Sequence, residues 1–149
     1  MFKKDESRVL GKLKIEVKDK HGKVKDTREV DNLVVDTGLA FIASRMKDAS
    51  ATAMSHMELG TGTTAAAAGN TALETIISGS RTALTSTTVT SNAVAYVASF
   101  AAGTGTGAVT EAGILNGASG GTLLCRTVFS VVNKGASDSM TITWTVTIS

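Results

Sequence analysis

The chain is short of the residues that most small proteins use for covalent staples, metal sites and base stacking. Its 149 residues include one cysteine, two histidines, one tryptophan and one tyrosine. A lone cysteine excludes an internal disulfide. Cys125 follows Leu123 and Leu124, so it reads as a small core or strand residue, compatible with a reducing cytoplasm. Neither His21 nor His56 stands with partners at metal-ligand spacing, so no metal and no cofactor are expected. With two histidines and few carboxylates beyond residue 48, a nucleophile–base–acid set is hard to assemble, and the expectation is a protein that is not an enzyme. The N-terminus (Met1, Phe2, Lys3, Lys4, Asp5, Glu6) lacks the apolar stretch of a signal peptide. No run of about 18 apolar residues predicts a membrane helix.

Charge is scarce over two-thirds of the chain. Residues 1–48 hold 12 of the 15 Lys and Arg and 9 of the 13 Asp and Glu. Beyond them stand only Glu58, Glu74, Arg81, Glu111, Arg126, Lys134 and Asp138. Soluble surfaces are usually about 25–35% charged. The replacement of charge by Thr, Ser, Gly and Ala suits packing against other subunits, or a neutral Thr-rich β surface with no partner. The basic residues from Lys3 to Lys25 could suggest nucleic acid. Interleaved acids nearly cancel them and no aromatics stand ready to stack, so a solvated hairpin fits better and nucleic acid is not expected as a partner.

What is present is β patterning. At 42% hydrophobic, 149 residues suffice for one domain with a real core. Residues 9–30 read as a charged hairpin that turns at Asp19–Lys20–His21–Gly22, with the return strand at a sheet edge. Residues 32–35 read as a short apolar strand. Asp36 or Thr37 could cap a helix over about 37–47, with Leu39, Ile42, Ala43 and Met46 as its apolar face. Residues 54–59 predict a strand. Asn70–Thr71–Ala72–Leu73–Glu74 predicts one or two helical turns. Further strands are expected at 80–88, 93–101, 109–115, 121–132 and 140–148. In the last, Met140, Ile142, Trp144, Val146 and Ile148 alternate with threonines, the period of a strand with one face buried. About eight strands and one helix predict an antiparallel β-sandwich or flattened barrel, in a single domain with residues 1–30 as a charged arm and hairpin.

Two glycine-rich loops, Gly60–Thr61–Gly62–Thr63 and Gly103 to Gly107, superficially suggest phosphate cradles. Neither is followed by Gly-Lys-Ser/Thr or opens a helix in a βαβ unit, so they read as strand connections. Glu111 and Arg126 each interrupt an apolar β stretch in the charge-poor region. Burial there would be costly without a partner, which predicts a structural ion pair of Glu111 with Arg126 or Arg81. Lys3, Lys4 and Arg8, in the arm, are the candidate assembly residues.

An ordered series of short motifs carries a resemblance. Asn32–Leu33–Val34–Val35–Asp36–Thr37–Gly38 is followed by Met57–Glu58–Leu59–Gly60–Thr61–Gly62–Thr63 and Asn70–Thr71–Ala72–Leu73. Then come Glu111–Ala112–Gly113–Ile114–Leu115, Arg126–Thr127–Val128–Phe129–Ser130, Lys134–Gly135 and Met140–Thr141–Ile142–Thr143–Trp144–Thr145. Across residues 30–149 this resembles a family of small tailed-bacteriophage virion structural proteins. The resemblance implies a particle component without catalytic residues, made in the host cytoplasm and located in the virion. Its partners would be other capsid or tail proteins and copies of itself, with a trimer as the first expectation. A capsid decoration (cement) or head–tail collar protein fits first. A tail-fibre or baseplate domain touching the host surface is the alternative, and a carbohydrate-binding β-sandwich module another. Both alternatives call for exposed aromatics, for which Trp144 and Tyr96 are the candidates.

Overall fold

The computed structural model describes residues 8–47 and 51–149. Among them the chain forms β1 (Val9–Lys18), β2 (Val24–Val34), α1 (Asp36–Lys47), β3 (His56–Gly60), β4 (Thr82–Ala83), β5 (Ser86–Thr90), β6 (Ala93–Phe100), β7 (Gly107–Leu115), β8 (Leu123–Lys134) and β9 (Ser139–Ile148). Every strand pair is antiparallel, in the order β4-β3-β7-β8-β2-β1-β9-β6-β5.

The sheet curls until its ends meet. β4 pairs with β3 at one end, and β5 pairs with β6 at the other, yet only Leu84 and Thr85 separate β4 from β5. The Leu84 N–H still donates to Ser55 O (2.8 Å), and the Thr85 N–H already donates to Val97 O (2.7 Å). Residues 82–90 are therefore one bent segment that turns a corner between two faces. β2 turns the opposite corner: Asp26 to Asn32 pair with β1, while Leu33 and Val34 pair with Arg126 and Cys125 of β8. The result is a flattened, mainly β barrel with one helix.

Alternation puts one side of each strand inside. Leu13, Ile15 and Val17 of β1 meet Met140, Ile142 and Trp144 of β9 and Ala98 and Phe100 of β6, all essentially inaccessible. Met57, Leu59, Ala112, Ile114 and Cys125 supply the opposing wall. Each large aliphatic or aromatic side chain so buried contributes about 1.5–3 kcal/mol. The β3–β7–β8 wall is buried on its outer side too, because residues 61–81 wrap across it and Leu73 packs there beside Gly113.

Five expectations change. The strand expected at 80–88 is two short strands about a bend, β4 and β5. Residues 32–35 do not form a separate strand, since β2 runs through to Val34. That run takes the return strand off the sheet edge and sets it between β1 and β8. The helix forms as read, but its apolar face is only partly covered: Ile42, with Phe41, packs against the core, whereas Leu39 is 44% and Met46 86% exposed, and Gly38 is its fully buried residue. The first turn of α1 is anchored as well, where Gly38 rides directly on the Leu124 backbone and the Thr37 hydroxyl donates to Leu123 O (2.7 Å). The helical turns expected from Asn70 are absent, because the backbone N–H groups of Glu74 and Thr75 serve another partner, described next.

Candidate functional site

The chemistry of this molecule is concentrated on the outer side of β3, β7 and β8. Register places Gly60 opposite Glu111, Glu58 opposite Gly113, and Gly113 opposite Arg126, all on that side. Two glycines among these charged residues leave room for what lies above.

Glu111 is fully buried. Its Oε1 accepts from the backbone N–H of Gly62 (3.0 Å) and of Thr75 (2.7 Å). Its Oε2 accepts from the N–H of Glu74 (3.0 Å) and from Arg126 Nε (2.9 Å). The same Oε2 lies 2.9 Å from a terminal nitrogen of Arg126. Arg126, itself 2% exposed, also donates to Asn70 Oδ1 (2.9 Å) and Thr64 O (3.0 Å). One carboxylate and one guanidinium thus bind both arms of the 61–81 segment. A buried charge pair is tolerable when the remaining hydrogen-bonding positions are filled, and here they are.

The Gly-Thr-Gly-Thr motif is explained by the same carboxylate. A Cβ at Gly60 or Gly62 would collide with Glu111 Oε1. The motif therefore joins β3 to the wrapping segment as a strand connection, and its glycines give the backbone close access to a carboxylate. The expected pair is Glu111 with Arg126, while Arg81 goes elsewhere. Arg81 donates through Nε to Glu58 Oε2 (2.9 Å) and through its terminal nitrogens to Glu58 Oε1 (3.2 Å), Gly117 O (3.2 Å) and Gly120 O (2.7 Å). This second clamp, which ties the end of the wrapping segment to the β7–β8 turn, was missed in the sequence. Glu58 and Arg81 carry the signal that singled out Glu111 and Arg126: an isolated charge in a neutral stretch.

A third polar cluster joins the β8–β9 turn to the hairpin. Lys134 Nζ donates to Ala101 O (3.0 Å) and Asp138 O (2.7 Å), and burial pushes its ammonium below the usual range. Asp138 accepts from Lys25 Nζ and the Gly135 N–H, and these bonds hold its carboxyl below the usual range. Thr64 above all, through a side-chain hydrogen bond, lowers the Glu74 carboxyl as well.

The arm residues are less informative. Lys3 and Lys4 lie outside the described residues. Arg8 is exposed, and its backbone exchanges two hydrogen bonds with Ser149 (2.7 and 2.8 Å). The hairpin it leads into presents a concavity of about 780 Å3 over Leu10, Lys12, Lys14, Glu29, Asp31 and Thr145 on its outward side. Cys125 is fully buried, which raises its thiol well above the usual range. One spacing passed over in the sequence, Gly117-x-Ser119-x-Gly121, matches a nucleophile elbow. Here it joins antiparallel strands, where the elbow requires a helix after the serine. Among the described residues, no three His, Cys, Asp or Glu come together as a metal site. No described helix is long and apolar enough to cross a membrane.

Comparison of the chain with protein families, curated proteins and solved structures finds no match.

Proposed function

We propose that the chain is a structural component of a tailed-phage particle, a capsid decoration or head–tail collar protein that acts by subunit packing. One observation carries the assembly half of this reading: charge is segregated in space as it is in sequence. The β1–β2 hairpin gathers Lys12, Lys14, Glu29 and Asp31 on one outward face. Residues 82–110, which include the end strands β4 and β5 of the sheet, contain no charged residue. α1 holds Leu39 and Met46 in the open. Neutral end strands and exposed apolar residues on a helix are surfaces that other subunits cover, and the hairpin supplies a polar attachment face.

The phage half rests on the motif series across residues 30–149. The host-contact and carbohydrate-binding alternatives call for aromatics at the surface, and the two candidates lie in the core, Trp144 fully and Tyr96 at 8% exposure. The reading assigns the chain no reaction and no cofactor.

The test is to purify particles from cells that carry this gene with an epitope tag and to locate the tag by electron microscopy. Regular density for the chain on the head, neck or collar is the expected result. Purified particles that contain none of the chain would refute the proposal.

A further inference from the structure

The two corners of the barrel are finished differently. At the β2 corner, side chains close the backbone that lacks a strand partner. Arg28 donates to Ser130 O (3.2 Å) and Val131 O (3.0 Å), Thr127 Oγ1 donates to Asp31 O (2.8 Å), and Lys25 pairs with Asp138. At the other corner β5 has a single neighbour, β6, and among the described residues no strand pairs with its opposite edge. All five residues, Ser86 to Thr90, are exposed. The usual protections of an edge strand are charge, proline and bulges. β5 has no charge, the chain has no proline, and the β5–β6 register runs without a shift.

Beside this edge the barrel is split. Past Leu84 the chain leaves its partner Ser55 beside β3 for Val97 of β6, and a groove of about 300 Å3 opens toward α1. Phe41, Ile42, Met54, Val89, Val94 and Tyr96 line it. Thr87 and Val89 lie opposite Tyr96 and Val94, so they sit on the groove side of β5, and Val89 is 70% exposed. Arg45 at the rim stacks over Phe41 and donates to Ala51 O.

We propose that β5 is a self-pairing edge, joined antiparallel to β5 of a second copy about a two-fold axis at Thr88. The strand, Ser86–Thr87–Thr88–Val89–Thr90, consists of uncharged Ser, Thr and Val alone. Centred on Thr88, it places Thr87 opposite Val89 and Ser86 opposite Thr90, pairs that suit a β-ladder. An uncharged strand meets its own copy without repulsion and offers a charged partner strand nothing to select. The partner's Val89 then falls on the groove side and extends the apolar surface of Phe41 and Tyr96. The contact is isologous and closes at two, so the oligomer is a dimer or a multiple of dimers, in place of the expected trimer. The inference deepens the self-assembly part of the proposed function and rests on it.

Charge at the axis tests this directly. Thr88 is exposed, so Thr88→Lys and Thr88→Glu should leave thermal unfolding of the monomer unchanged. Each alone sets like charges opposite each other and should weaken self-association by roughly five- to tenfold. An equimolar mixture of the two should restore association as a mixed dimer, read by sedimentation velocity across a concentration series reaching the millimolar range. A wild-type chain that stays monomeric throughout overturns the proposal. So does an oligomer that neither variant weakens, or one that the mixture fails to restore. A chain that dimerises through β5 but is missing from particles leaves this inference standing and sinks the phage assignment.

Discussion

Replacing Glu111 with glutamine changes almost no volume, so it isolates the charge and the lone pairs of one carboxylate. In the native site each oxygen faces two donors: Oε1 meets the N–H groups of Gly62 and Thr75, and Oε2 meets Glu74 N–H and Arg126. Whichever way the new amide turns, its NH2 faces two donors and satisfies neither. Orphaning buried polar groups costs about 1–3 kcal/mol, and leaving a buried guanidinium without its counter-charge costs about 3–5 kcal/mol. These costs overlap, since Arg126 keeps Asn70 and Thr64 as acceptors. We therefore expect Glu111→Gln to lose about 3–5 kcal/mol of a total stability of about 5–15 kcal/mol. The corresponding drop in Tm is roughly 6–20 °C. Arg126→Met should cost less, because the carboxylate retains three backbone donors. Urea unfolding gives both values, and limited proteolysis within residues 61–81 reports whether the wrapping segment has come loose. A Glu111→Gln protein within about 1 kcal/mol of wild type, or less impaired than Arg126→Met, would refute this account of the site.

Three further outcomes are expected. Gly62→Ala puts a Cβ 2.5 Å from Glu111 Oε1 and 2.6 Å from the Glu74 side chain. It should cost about 1–3 kcal/mol, whereas Gly69→Ala, with open space around it, should stay within about 0.5 kcal/mol in the same unfolding assay. Asp138 is depressed below 3.8, chiefly by Lys25. The unfolded state then binds its proton first, so the contribution is present above pH 3.8 and is lost as pH falls through the folded-state value. Lys25→Met should flatten the acid limb of stability against pH, and an unchanged limb would contradict the assignment. Cys125 should resist a thiol reagent in native buffer and react stoichiometrically in denaturant; prompt native labelling would show that its wall opens.

Local pattern made much of this fold legible. The Met140–Ile148 alternation, the hairpin about Gly22 and the spacing of α1 each follow from a period that needs no distant partner. Glu111 and Arg126 were legible too, because a charge in a neutral β stretch has to be answered somewhere. What escaped was set by contacts far away in sequence. Residues 70–75 have a helix-start composition, but Glu111, more than thirty residues on, takes the N–H groups a helix would have used. The bend at Leu84–Thr85 has no glycine or proline to mark it, since it arises from two pairing partners, Ser55 and Val97, on different walls. The exposed part of the α1 face is invisible to periodicity, which shows an apolar stripe and not whether anything covers it.

The position of β9 has a consequence in time. It lies between β1 and β6, with Val9 paired to Ile148 and Phe100 to Met140. Of the nine described strands it is the last to leave the ribosome, yet it occupies the middle of its wall. At roughly 5–20 residues per second, β1 waits roughly 7–30 s for the strand that covers its apolar side partner by partner. Until then β1 and β6 are two unfinished edges that can find each other wrongly, or find another nascent chain. The wall cannot be built outward from its first strand, and its closure waits for β9 to emerge.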